Sequence, residues 1–295
     1  MQFLDVKTDY AFKKVFGSEH SKPILLSFLN ALLDFNGEYL TDLAIVDPYQ
    51  IPLLKGMKDT YVDVKATLSN QTQVIIEMQV LQVEGFEKRI LYNAAKAYSK
   101  QLNKGQDYTL LNPIIALTVT DFTMFNGITE VSSCFQLLEK THLINYSDDV
   151  QLVFIELPKF TKTEMELETI TDKWIYFLKH AGSLESIPAT LKTETAIERA
   201  FEIANTASLS NEELELQEKR YDFIRLQRGA VAKALQQGLQ QGLQQGLQRG
   251  WQDGNQAATQ EIAKRLIQAG LDIPTIAKAT NLTEVEVKSL MSDYN

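Results

Sequence analysis

Hydrophobic and polar positions along this 295-residue chain change their period several times, and each change predicts an element. In KTDYAFKKVFG, residues 7–17, Tyr10, Ala11, Val15 and Phe16 fall at helical spacing and Gly17 supplies a stop. SKPILLSFLNALL, residues 21–33, predicts a second helix with Pro23 in its first turn, where a missing amide is tolerated. Leu43 to Val46 predicts a short strand ended by Asp47-Pro48. In TYVDVKATLSNQTQVIIEMQV, residues 60–80, two β-branched and aliphatic runs flank Ser69-Asn70-Gln71-Thr72. This predicts a hairpin with strands at 60–68 and 73–80. Phe86 to Asn103 has the periodicity of a long helix, and Asn112-Pro113 separates it from the buried strand IIALTV. Weaker strand patterns lie near 130–137 and 151–157, and residues 162–220 read as helical.

The pattern then changes character. ALQQGLQQGLQQGLQRG, residues 234–250, places Leu235, Leu239, Leu243, Leu247 and then Trp251 at every fourth position. A helix turns 100° per residue, so this stripe drifts by about 40° per unit. The glycines at 238, 242, 246, 250 and 254 would each cost a helix roughly 1 kcal/mol. A marginal helix ordered by self-association and a flexible polar spacer both fit. After it, TQEIAKRLIQAGLDIPTIAKATNLTEVEVKSLM, residues 259–291, predicts two short amphipathic helices and the start of a third, a helix-turn-helix cadence. Its last helix, Glu284 to Met291, is not basic, so docking or oligomeric use ranks ahead of reading DNA.

With 44% hydrophobic residues the chain can bury a core, and its length suits one main domain with appendages. No stretch approaches the ~20 apolar residues of a membrane span. The first residues carry charges where a secretion signal needs an apolar core. The single cysteine, Cys134, allows no internal disulfide and disfavours a thiolate metal site. These features lead us to expect a cytoplasmic protein with no membrane partner. Residues 1–220 hold 21 Lys/Arg against 31 Asp/Glu, and residues 221–295 hold 8 against 7. A net charge of −9 gives no global attraction to nucleic acid, so such binding needs local basic groups or metal ions.

Candidate chemistry lies in the hairpin. Residues two apart on a strand share a face, so Asp63 and Lys65 point one way, as do Glu77 and Gln79. Pairing of the strands would gather all four near the open end, with Val62, Val64, Ile76 and Met78 filling the opposite face. Two carboxylates a few ångströms apart repel, and a divalent cation relieves that repulsion. Oxygen ligands open to water suit Mg²⁺ or Mn²⁺. The same alternation also describes an ordinary solvated strand face. On the following helix Arg89, Lys96, Lys100 and Lys104 fall on one side with Tyr92 at the edge, either a path for a phosphate backbone or a solvated lysine face. His20, His142 and His180 are too scattered for zinc, no serine or cysteine stands in a recognisable nucleophile pattern with a histidine to activate it, and no phosphate-binding glycine loop occurs.

Several pieces occur in a set order: DYAFKKVFG, LLSFLNALL, VDVKA, IIEMQ, KRILYNAAKAYSKQLNKGQDY, PIIALTVTDF and FIELPKF. This ordered set, over roughly residues 5–180, resembles the Rpn family of recombination-promoting nucleases. That family belongs to the PD-(D/E)XK superfamily and is also described as PD-(D/E)XK family transposases. The Gly/Gln repeat and GLDIPTIAKATNLTEVEV resemble its usual tail.

The resemblance implies an α/β, restriction-endonuclease-like αβββαβ core, with a mixed sheet flanked by helices and a helical C-terminal region. It implies a metal-dependent DNA endonuclease, with Asp63 and Glu77 binding Mg²⁺ (or Mn²⁺), Asp9 adding a carboxylate, and Gln79 and Lys65 assisting. Gln79 stands where the superfamily motif has lysine, a departure common in the resembled family; it leaves the water-orienting cation unaccounted for, and Lys65 is the candidate to supply it. Arg89, Tyr92, Lys96 and Lys100 would contact DNA. The domains expected are a nuclease core at 1–160, a helical extension at 161–228, a repeat spacer at 229–256 and a helical tail at 257–295. Homo-oligomerisation would run through the C-terminal region. The alternative is a non-catalytic nucleic-acid-binding or regulatory module on the same fold.

Overall fold

The structure, a computed structural model, describes residues 3–35, 37–50 and 60–292. Contacts divide the chain into two compact units, residues 1–227 and 228–295.

The first unit opens with α1 (Asp9–Phe16) and α2 (Lys22–Leu32). Thr8 caps α1 by accepting from the Ala11 amide, and Gly17 ends it as the sequence predicts. Strands β1 (Leu43–Val46), β2 (Tyr49–Gln50), β3 (Thr60–Tyr61), β4 (Val64–Leu68) and β5 (Gln73–Gln79) follow. The rest of the framework is α3 (Phe86–Ser99), β6 (Ile114–Thr120), β7 (Ser132–Leu138) and β8 (Asn145–Glu156). The main sheet has six strands in the order β1-β4-β5-β6-β8-β7, while β2 and β3 pair separately. β5 and β6 are parallel, as are β6 and β8, and the other pairs are antiparallel. This is the expected mixed sheet flanked by helices, built in αβββαβ order.

Period-two alternation sorts the strand residues between two cores. Val64, Ala66, Val74, Ile76, Met78, Leu117 and Val119 pack with α1, α2, α4 (Ile170–His180) and α6 (Thr195–Ile203). Trp174, fully buried, meets Phe28 edge-on there, with ring centres 5.5 Å apart. On the opposite face Ile75, Ala116 and Phe154 pack against Phe86, Ile90, Ala94 and Ala97 of α3. Between α4 and α6 lies α5 (Ala189–Lys192), so the predicted helical region from residue 162 up to residue 210 consists of short helices, and α4, α5 and α6 all contribute to the main core.

Three local expectations need correction. Val62 packs with the α3-side residues rather than with Val64, Ile76 and Met78. The Asp63 amide donates to the Ile76 carbonyl (3.0 Å), although Ile76 is already the partner of Val64. Two residues thus face one, a bulge that shifts the face of everything before it. Second, α3 ends at Ser99 with Lys100 as its cap, so a helical wheel does not extend to Lys104. Third, β8 starts at Asn145, earlier than the predicted strand.

Helix α7 (Asn211–Gln268) continues through the whole repeat, glycines included, with Leu235, Leu239, Leu243, Leu247 and Trp251 exposed. In the second unit Ala263, Ile276 and Val287 form a small core between the end of α7, α8 (Ile273–Thr280) and α9 (Glu284–Ser292). Asn281, at φ +58°, turns the chain between α8 and α9. Thr283 and Glu286 then cap α9 reciprocally: the Thr283 amide donates to the carboxylate (2.7 Å) and the Glu286 amide to the hydroxyl (3.3 Å). Among the described residues no helix is long and apolar enough to cross a membrane.

Candidate active site

The hairpin opens into a cavity of about 310 Å³, whose charged lining is Asp9, Lys13, Asp63, Glu77, Arg89 and Arg220, with Gln79 and Tyr61 beside them. Each arrives for a local reason. On α1 the buried Ala11, Phe12, Val15 and Phe16 fix one face against the core, which leaves Asp9 and Lys13, one turn apart, on the side facing the cavity. On β5 Glu77 and Gln79 alternate with core-bound Ile76 and Met78, so they lie on the sheet face that α3 covers. α3 supplies Arg89, and the first turns of α7 supply Arg220, Phe223 and Ile224.

Asp63 and Glu77 are both largely sequestered, with side chains 13% and 14% exposed. Asp63 accepts from the Met78 amide at 2.8 Å and faces the Lys13 ammonium at 3.3 Å. Glu77 faces the Arg89 guanidinium at 2.5 Å, and Arg89 also donates to the Gln79 carbonyl at 2.7 Å. Burial pushes both carboxyls above their ordinary range. For Asp63 the Met78 amide and Lys13 pull the other way, while the charge of Asp9 adds to the rise. For Glu77, Arg89 opposes the rise and the charge of Asp63 adds to it. Asn93, 1% exposed, also lies beside Glu77 and favours its charged form, yet its amide makes no hydrogen bond of ordinary geometry.

Of the residues the sequence singles out, Asp9, Asp63, Glu77, Gln79 and Arg89 line this cavity. Lys65 does not. It pairs with Ile75 and Val46 within the ladder, and its charged neighbour is Asp47. Burial lowers its pKa. Lys96 is no part of a solvated basic stripe: it is 5% exposed and donates to Thr60 at 3.3 Å. A helical wheel fixes the direction of its side chain but not what that side chain meets. Tyr92 is at the surface with the Lys96 ammonium 5.8 Å from its ring centre, and Lys100 ends the helix. Asp9 is half-exposed and bound to Arg220 at 2.6 Å. Among the described residues no group of three or more His, Cys, Asp or Glu side chains could hold a metal ion, so Asp9 does not complete a triad.

Lys13 and Arg220 are the charged cavity residues not singled out. For Lys13 a signal existed, its place one turn after Asp9. Arg220 had none, because only tertiary packing brings α7 there. The docking rests on Thr8, whose hydroxyl donates to buried Gln217 (3.0 Å), and on Glu213, which holds Tyr10 and Lys14.

The donors that face the cavity are hard oxygens, three carboxylates and an amide carbonyl, without histidine or thiolate. That set fits Mg²⁺ or Mn²⁺, ions commonly held by one or two carboxylates with water and phosphate completing the shell. A model of the family described as PD-(D/E)XK nuclease family transposase matches residues 6–234. No curated protein and no solved structure matches the chain.

Proposed function

Because the chain belongs to the PD-(D/E)XK nuclease family transposases, we propose that it is a metal-dependent DNA endonuclease acting at the cavity between α1, β5 and α3. The observation that carries this reading is the sequestered pair Asp63 and Glu77, whose charge is disfavoured by burial yet preserved by cations on either side. Such a pair gains most from a divalent ion. Asp63 and Glu77 would hold it, and Gln79 would offer its amide to water or to a phosphoryl oxygen. When bound, the ion supplies activation of water and neutralisation of charge on the phosphate.

The reaction is hydrolysis. A water oxygen bonds to phosphorus, one ester P–O bond breaks, and the leaving oxygen departs as a hydroxyl. Arg89, which grips Glu77 and Gln79 together, orients those two side chains toward the cavity before the ion binds. Tyr61, at the cavity mouth, offers a flat apolar surface beside the strand being cut. DNA is thus the substrate, and Mg²⁺ the preferred ion with Mn²⁺ as a substitute.

The test is incubation of the purified protein with supercoiled plasmid and Mg²⁺, with and without EDTA. Nicked or linear product only in the metal arm is expected. Intact plasmid with both Mg²⁺ and Mn²⁺ would favour the non-catalytic nucleic-acid-binding module instead.

A further inference from the structure

The six charged side chains of the cavity form three matched pairs: Asp9 with Arg220, Asp63 with Lys13, and Glu77 with Arg89. In this state the site is formally neutral and has no surplus charge with which to hold a phosphate. A divalent ion on Asp63 and Glu77 would add two positive charges and leave their partners without a counter-ion.

The three cations differ in how they are held. Arg89 grips two acceptors and stacks over the Phe86 ring at 5.0 Å, so it is fixed as a fork. Arg220 answers to Asp9 at the rim. Lys13 carries a point charge on a flexible stem, is 46% exposed, and meets Asp63 at 3.3 Å with no second acceptor among the described residues. It is the group best placed to turn from carboxylate to phosphate while its backbone stays fixed in α1.

We propose that Lys13 is the catalytic lysine of this site, supplying from α1 the cation that Gln79 does not provide. The proposal rests on the nuclease reading above. Without metal, Lys13 is the counter-ion of Asp63. Once Asp63 turns its oxygens to a divalent ion, the ammonium swings onto a non-bridging oxygen of the scissile phosphate. There it offsets charge as the water oxygen bonds to phosphorus and the ester P–O bond breaks. The proton lost by the water is made good on the leaving oxygen through solvent. Lys65 is excluded from this role by its place in the ladder beside Asp47.

The experiment compares wild type with Lys13→Met, Lys13→Arg and Lys65→Met in the full chain. Three quantities are read: single-turnover plasmid cleavage with Mg²⁺, Mn²⁺ affinity without DNA by titration calorimetry, and far-ultraviolet circular dichroism. Lys13→Met should stay folded and lose cleavage on the order of a hundredfold or more, the scale of removing one preorganised charge-stabilising donor. It should also bind Mn²⁺ more tightly than wild type, because the ion no longer displaces an ammonium from Asp63. Lys13→Arg should recover part of the cleavage. The proposal is overturned if Lys13→Met cleaves at the wild-type rate, if it binds Mn²⁺ no more tightly, or if Lys65→Met loses more cleavage. A wild-type protein inert with every metal would instead overturn the nuclease reading itself.

Discussion

Burial raises the pKa of Asp63 and of Glu77, so at neutral pH each charged carboxylate costs the metal-free fold some stability. A carboxyl whose folded pKa lies above its unfolded value carries no such cost at low pH. The cost grows as pH rises from the ordinary carboxylate range through the raised value, and is complete above it. Asp63→Asn and Glu77→Gln keep an oxygen to accept from the Met78 amide and from Arg89, and remove only the charge. Each should therefore abolish cleavage while melting at or above the wild-type temperature at neutral pH. The difference should shrink as pH falls below about 4, near the unperturbed carboxylate values. Thermal melts across that pH range check the sign, and a variant melting well below wild type at neutral pH would contradict it. Glu77 and Gln79 were legible because alternation in a strand fixes a face, whereas Asp63 lies in the bulge and is held by Lys13 of α1. Alternation does not fix depth along the ladder, which is why Lys65, on the expected face, is away from the cavity. Nor does it register a one-residue bulge, which is why Val62 packs on the wrong side of the expected pattern.

At the scale of elements, two helices set what reaches the site. α3 was legible as an amphipathic helix beside the hairpin, but its lysines were not separable into wet and dry. Lys96 is buried against Thr60, so Lys96→Ala should lower stability by about 1–3 kcal/mol, the range for leaving a buried polar group unmatched. It should leave the salt dependence of DNA binding unchanged, and a flattened salt slope in a fully stable variant would return Lys96 to the DNA face. The start of α7 is anchored through Glu213, whose carboxyl is held down to about 2 by hydrogen bonds from Tyr10 and Lys14. A depressed folded pKa contributes stability above the unfolded value and loses it as pH falls through the folded one. Glu213→Gln should thus loosen the docking of these turns at neutral pH, with the deficit vanishing by about pH 2. Amide hydrogen exchange over residues 211–224 checks it, since faster exchange is expected in the variant at neutral pH alone. None of this anchoring was visible in the sequence, where residues 8–14 and 213–220 lie far apart.

At the scale of the whole molecule, we propose that self-association runs through the tail. The repeat is helical throughout despite five glycines, and its leucines and Trp251 are exposed along it. Burial of such side chains against a second copy would contribute roughly 1.5–3 kcal/mol for each one fully covered, enough to offset the glycine cost. A chain ending near Arg228 should stay folded, retain metal binding, and show a smaller subunit number than the full chain by light scattering. An unchanged subunit number would move the interface into the nuclease unit. That unit has its own feature to reckon with, one of the two edge strands of the sheet. β7 carries exposed Phe135, Leu137 and Leu138 on an edge that no further strand covers among the described residues. An uncapped strand is a template: its open row of amides and carbonyls accepts any extended chain, a like strand included. Concentrated stocks of the shortened protein should accordingly lose solubility by sheet growth, and Leu137→Lys should restore it without touching cleavage.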